Sequence, residues 1–360
     1  MRPAASVVRT LSELIVAILV AVGAWVWMSG VSPHELWEAL VGTSAPQSEP
    51  RYDVVRLGWH DLSTVCAISD AGQIVGMGRT GDGYRLPVLW SDGETTPCSD
   101  GRLPGRAVAV DELGRIACSV GGVRSRGLTA FVRDQEWEAL RLEAPEPGAD
   151  CKACDMNRAG VVVGVVAPPG QMGHACVWDT TGAVRVLDTE PSCATGISDS
   201  GVVAGFVLEA SAREVPRLWV PEGDSYRPAD LREHFQASSR PRAISNQGVI
   251  VGALERGVPF RWDASGGLQV LPVPDRRFFA MAQAINDRGE IVGYSGADSA
   301  CGMDALLWRP DGLVNLNDCI DPACGWHLLR ATAIGNGGMI GCDAARGEHV
   351  EAVVVVPRAE

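Results

Sequence analysis

His60, His174, His234, His327 and His349 are the side chains with which this sequence could move protons or hold a metal near neutral pH. No HExxH pair, GxSxG elbow or Walker-type loop accompanies them, so no reaction motif assigns them a step. Asp70, Asp111, Asp199 and Asp287 recur beside turn glycines and could be offered as calcium ligands, but an oxygen-ligand loop alternates its donors more densely. They read instead as turn-stabilising acids. Among the 11 cysteines, Cys66 and Cys154 share one place in a recurring pattern, Cys118 and Cys342 share another, and Cys176 sits in a strand; all read as small buried side chains. Cys151-Lys152-Ala153-Cys154 lacks the second CxxC of a zinc ribbon. Cys301, Cys319 and Cys324 fall in loops, where one pair could be bridged in an oxidising compartment. No cofactor is implied.

What must position these residues is a repeat. Ala67-Ile68-Ser69-Asp70-Ala71-Gly72 is matched by Ala243-Ile244-Ser245-Asn246-Gln247-Gly248 and by Ala284-Ile285-Asn286-Asp287-Arg288-Gly289. The turn glycines Gly72, Gly114, Gly160, Gly201, Gly248, Gly289 and Gly338 mark seven copies, 41 to 49 residues apart. Each glycine precedes a β-rich run such as QIVG, VVVG or EIVG. Trp90, Trp178 and Trp219 follow 18 residues later, and Trp262 and Trp308 hold the same place at slightly different spacing. A unit therefore reads strand, tight turn, strand, longer loop, strand, turn, strand, and four short strands in about 44 residues is the rhythm of a propeller blade. Asn or Asp with a left-handed glycine supplies the turn chemistry, and the tryptophan supplies apolar area between sheets.

The last copy, ending EAVVVVPRAE, provides three strands, and YDVVRLG at residues 52 to 58 provides a fourth. Returning that strand closes a ring and removes the open edge. The pattern thus predicts an all-β, seven-bladed β-propeller over residues 51–360, closed by an N-terminal strand. A parallel β-solenoid is the structural rival, but its coils are usually shorter and need no returned strand.

The AINDxGxIVGxS, LW, DG and L succession resembles the HAF-type extracellular repeat family over about residues 52 to 357, and NLNDCIDPACGWHLLRATAI resembles that family's longer loop with GW ahead of the next unit. The resemblance implies export and a propeller-like fold, and it carries no reaction to particular residues. Cys118 in the second copy and Gly335 in the seventh depart from the pattern.

The first fifty residues differ in kind. Leu14 to Val31 is 18 residues without a charge, enough as a helix to cross roughly 27 Å of hydrocarbon. Arg2 and Arg9 precede it, and no Lys or Arg follows until Arg51. The positive-inside rule then leaves residues 1–10 in the cytoplasm, a transmembrane anchor at 11–31, and the remainder outside a bacterial cytoplasmic membrane. A signal peptide cleaved near Val22-Gly23-Ala24 is the alternative, giving a secreted protein. Ser32, Pro33, Glu35 and Gly42 punctuate a short juxtamembrane helix, with a spacer completing residues 32–50.

With 44 acidic against 31 basic residues and a net charge of -13, the chain is a poor duplex binder, and no nucleic-acid partner is expected. The turns joining first to second and third to fourth strands are short and uniform. The opposite face carries the long stretches 97–107, 142–152, 229–241 and 317–330, with 119–128 and 206–216. All five histidines named above map there, with His327, His349 and His60 as neighbours. Variable loops on a rigid scaffold usually carry function. The expected function is a membrane-anchored, extracytoplasmic module that binds or scaffolds a protein or glycan through that face. The alternatives are a hydrolase or lyase using loop histidines and acids near the channel, and a structural surface protein without a discrete site.

Overall fold

Short apolar runs bounded by Gly, Asp and Asn turns build seven four-stranded antiparallel sheets. The computed structural model describes residues 51–60, 63–79, 83–99, 103–121, 127–274, 277, 279–296 and 302–358. The expected anchor at 11–31 and the juxtamembrane helix and linker at 32–50 lie outside the described residues. Among the described residues no helix is long and apolar enough to cross a membrane.

The innermost strands are Thr64–Ile68, Gly105–Val110, Asp150–Met156, Ser192–Ile197, Ser239–Ile244, Phe279–Ile285 and His327–Ile334. Each touches the next in cyclic order, and the last touches the first, so the sheets stand as blades around one axis. The seventh sheet runs outward from His327–Ile334 through Ile340–Arg346 and His349–Pro357 to Tyr52–Arg56. Its closing register pairs Tyr52 with Pro357 and Arg56 with Val353. Further ties hold the seam. Arg358 Nε donates to Asp53 Oδ1 at 2.9 Å, and Arg309 Nη2 donates to the Tyr52 hydroxyl at 2.8 Å. The second and seventh copies form complete sheets despite Cys118 and Gly335.

The core is a ring of inter-blade clusters. Trp59, Val65 and Ile74 of blade 1 pack on Ala352 and Val354 of blade 7, and Val163 and Val177 of blade 3 pack on Val203 and Trp219 of blade 4. Tryptophans at the repeat position pair with the start of the second strand, as Trp178 does with Val162. Three of their indole N–H groups reach back to the connection from the preceding blade, Trp178 donating to Glu143 O at 2.8 Å, Trp219 to Asp188 Oδ2 at 3.2 Å and Trp308 to Pro272 O at 2.7 Å, whereas the buried Trp262 Nε1 has no partner. A buried indole usually finds such a partner.

Near the axis the strands crowd, and Ala107, Ala153, Ala194, Ala282 and Ala331 are fully buried there. Every innermost strand carries a bulge, for example between Val65 and Ala67 or Ala153 and Asp155. The strands also begin inside spans that sequence reading assigns to loops, as at Gly105, Asp150, Ser239 and His327. The loops are therefore shorter than expected, and Gly148 and Gly325, both at positive φ, stand two residues ahead of two of those starts.

Candidate functional site

The seven innermost strands share one register, so equivalent residues form layers along the channel. At the long-loop end lies a layer whose members pair with the same position of each second strand: Arg106 with Ser119, Lys152 with Val165, Arg240 with Ala253 and Arg330 with Asp343, alongside Thr64, Cys193 and Met281. The bulge layer follows, with Cys66, Cys154 and Arg242. Next comes an apolar collar of Ile68, Val110, Met156, Ile197, Ile244, Ile285 and Ile334, and finally a polar layer at the short-turn mouth; these two layers line a cavity of about 230 Å³.

The rim of the short-turn mouth is stitched from blade to blade by its own side chains. The first turn residue braces its turn: Asp111 Oδ1 accepts from Arg115 N at 2.9 Å, and Asn286 Oδ1 accepts from Glu290 N at 3.0 Å. The second turn residue reaches the neighbouring blade. Arg158 N donates to Asp199 Oδ1 at 3.0 Å, Asp199 N to Asn246 Oδ1 at 2.7 Å, and Asn246 N to Asp287 Oδ1 at 3.0 Å. The chain continues from Asp287 N to Asn336 Oδ1 at 2.9 Å and from Asn336 N to Asp70 Oδ1 at 3.3 Å. Arg158 also pairs with Glu112. Asp111 thus acts as the turn acid that the sequence suggests, whereas Asp70, Asp199 and Asp287 join blades. Asp155 stands where other copies have Ala or Gly and accepts from Met156 N at 2.8 Å and Ile197 N at 3.0 Å. Burial pushes its carboxyl up to about 6.

The opposite mouth is cationic and only partly neutralised. Arg240 Nε donates to Glu214 Oε2 at 2.7 Å, and Arg330 Nη2 stands 2.6 Å from Asp343 Oδ2. Arg106 and Lys152, the single lysine of the sequence, are exposed and meet no carboxylate among the described residues. Arg242 is half-buried, its Nε has no hydrogen-bond partner, and burial together with the Arg240 charge holds its guanidinium below the usual arginine range. Beside it, Arg240, Arg242, Leu254, Phe279 and Met281 line a cavity of about 420 Å³. Thiols share this zone. Cys154 of blade 3 and Cys193 of blade 4 influence each other's titration, the Cys154 pKa being lowered and that of Cys193 raised, while Cys193 Sγ donates to Ala194 O at 3.6 Å. Burial pushes the Cys66 thiol up to about 11.

All five histidines stand at the long-loop end but are only partly brought together. His60 and His349 line one cavity of about 330 Å³ with Arg56, Arg346 and Glu351. His327 Nε2 instead lies 2.9 Å from Met303 O and 3.2 Å from Asp304 Oδ1. His174 Nδ1 lies 3.2 Å from Glu190 O, and the His234 ring sits 5.6 Å from that of Trp262. No group of three or more His, Cys, Asp or Glu able to hold a metal occurs among the described residues. Cys319 is buried and Cys324 half-buried, both as free thiols, and Cys301 lies outside the described residues. The cationic layer is missed by motif reading. Its signal is a basic residue four positions ahead of the collar residue in four copies: Arg106, Lys152, Arg240 and Arg330 ahead of Val110, Met156, Ile244 and Ile334.

No family model matches the sequence, and no curated protein does. Among solved structures the fold is similar to YCF48 bound to D1 peptide, with a TM-score of 0.55 at 12% identity over 87% of this chain and 98% of that one. It is similar to a catalytically inactive virginiamycin B lyase from Staphylococcus aureus with quinupristin, with a TM-score of 0.54 at 9% identity over 86% of this chain and 100% of that one. The β-propeller domain of the Trilobed protease from Pyrococcus furiosus, described as having an open velcro topology, gives a TM-score of 0.53 at 11% identity over 82% and 94% of the two chains. Such likenesses establish the fold and leave function to the site.

Proposed function

We propose that this chain is a membrane-anchored, extracytoplasmic binding or scaffold module that holds a protein or glycan partner at the long-loop mouth of its channel. One observation carries the reading: the two mouths are unlike. At the short-turn mouth the polar side chains are consumed by blade-to-blade bonds from Arg158 round to Asp70. At the long-loop mouth Arg106 and Lys152 remain exposed without acidic partners among the described residues. Like charges gathered in one layer repel each other, and a partner of complementary charge relieves that repulsion. The apolar run from Leu14 to Val31 and the resemblance to HAF-type repeats support placement outside the membrane. The similar propeller bound to D1 peptide supports a ligand held by this kind of scaffold.

A photo-crosslinking residue installed at Lys152, and separately at Glu112 on the opposite mouth, tests the reading in intact cells. Discrete adducts from position 152 alone are expected, and equal labelling from both positions would overturn it. Protease added to spheroplasts should digest the propeller, and protection until lysis would refute the topology. The cavity holding His60, His349 and Glu351 favours a second reading, a hydrolase or lyase on the same face. Replacing His60, His327 and His349 by Ala separates the two, since an enzyme loses turnover or bound metal while a binding module keeps its crosslinked partner.

A further inference from the structure

The long-loop mouth concentrates positive charge in a chain whose net charge is -13. Arg106, Lys152, Arg240, Arg242 and Arg330 occupy two adjacent layers, and only Arg240 and Arg330 face carboxylates. Arg242 is held half-buried with an unsatisfied Nε. A half-buried guanidinium with an unsatisfied N–H costs stability, and an added acceptor of opposite charge offsets that cost. We propose that this mouth takes a carboxylate-rich peptide segment of a partner protein, seated across Arg106, Lys152 and Arg242; the inference rests on the binding-module reading above.

Two observations favour a peptide over an acidic glycan. Sugar-binding surfaces commonly offer open aromatic faces, but here Phe206 and Tyr294 are covered by the guanidinium groups of Arg240 at 5.1 Å and Arg330 at 5.9 Å. The adjoining cavity of about 420 Å³ sets Leu254, Phe279 and Met281 beside Arg240 and Arg242; it also holds Glu255 and Glu214, the latter paired with Arg240, so it suits the apolar side chain of a peptide whose acids lie on the cationic layer beside it. The same layering limits depth. Beyond the cations lies the apolar collar, and beyond that a mouth where Asp70, Glu112, Asp199 and Asp287 outnumber Arg158. An acidic segment is attracted at one end and repelled from the other, so it caps the mouth and does not thread the channel.

The full chain, purified in detergent, is titrated against dye-labelled peptides of alternating Glu and Leu, Gln and Leu, or Lys and Leu, and against an oligogalacturonate, with anisotropy as readout. The Glu peptide should bind, weaken as salt rises from about 50 mM to about 500 mM, and lose at least about tenfold in affinity, equivalent to about 1.4 kcal/mol, in the Arg106→Gln, Lys152→Gln double variant. Both side chains are exposed, so unchanged thermal unfolding is expected, and Glu112→Gln at the far mouth should bind as the parent does. Equal binding of the Gln peptide, undiminished binding by the double variant, or no binding of any peptide overturns the inference. Oligogalacturonate bound in place of the Glu peptide, and lost in the double variant, also overturns it while leaving the binding-module reading standing.

Discussion

A β-carbon on Gly164 would lie 1.9 Å from the Lys152 carbonyl oxygen, and one on Gly293 would lie 1.9 Å from that of Met281. These are the second glycines of the IVG-type runs, each facing the bulge of its innermost strand. The sequence displays their recurrence but not its cause, because the contact is to a strand's backbone and leaves no side-chain signature. Gly293→Ala should cost about 3 kcal/mol or more, read as a lower urea midpoint; an unchanged midpoint would show that the strand can shift. Asp155 makes a pH-dependent prediction. Its folded pKa of about 6 lies above the unfolded value of about 3.9, so its contribution is fully present below that unfolded value and is lost as pH rises through about 6. Asp155→Asn should therefore shrink the loss of stability between pH 4.5 and 7.5, measured by urea unfolding. An identical loss in both proteins would remove Asp155 as the cause.

At the scale of elements, the innermost strands do two jobs with one alternation. Small residues such as Ala153 and Ala194 pack between blades, while the intervening positions present cations, thiols and the isoleucine collar to the channel. Cys154 of blade 3 and Cys193 of blade 4 stand near enough on neighbouring innermost strands to shift each other's titration. Oxidised glutathione should join them: the two thiols give up two protons and two electrons, and the oxidant leaves as two reduced glutathiones. Cys98 and Cys118 of neighbouring blades also influence each other, but both are fully buried, and burial raises the Cys118 pKa. They should stay reduced until the fold opens. Peptide mapping after differential alkylation checks both statements, and full alkylation of Cys154 and Cys193 after oxidant would dispose of the first. Neither pair is apparent from spacing, since Cys98 and Cys118 are 20 residues apart and Cys154 and Cys193 are 39 apart.

For the molecule as a whole, stability depends on two closures. Tyr52–Arg56 completes the seventh sheet, where Val54 lies opposite the fully buried Val355. Val54→Asp places a charge against that apolar seam and should cost about 2 to 4 kcal/mol, with faster proteolysis at the chain ends than within blades 2 to 5; uniform proteolysis would deny the seam this role. The second closure is the blade-to-blade stitching. Asn246 Nδ2 donates to Asp199 Oδ2 at 2.9 Å and to Asp287 Oδ2 at 2.8 Å. Asn246→Asp sets a third carboxylate between two others and should lower the thermal midpoint at neutral pH, with recovery at high salt. A midpoint indifferent to salt would mean that the ring is held by the backbone alone.

Blade number, strand order and the returned N-terminal strand were legible in the sequence, because turn glycines, apolar alternation and tryptophan spacing are local patterns that recur in phase. The placement of the five histidines at one end followed from the same strand order. Which of them meet did not follow, because His60 and His349 are brought together by the closing seam while His327 is taken by Asp304. The unlike mouths were decided only in three dimensions. A lysine in one copy and arginines in three others carry no pattern until the innermost strands share a register, and only then do Arg106, Lys152, Arg240 and Arg330 become one layer whose like charges face each other across a single axis.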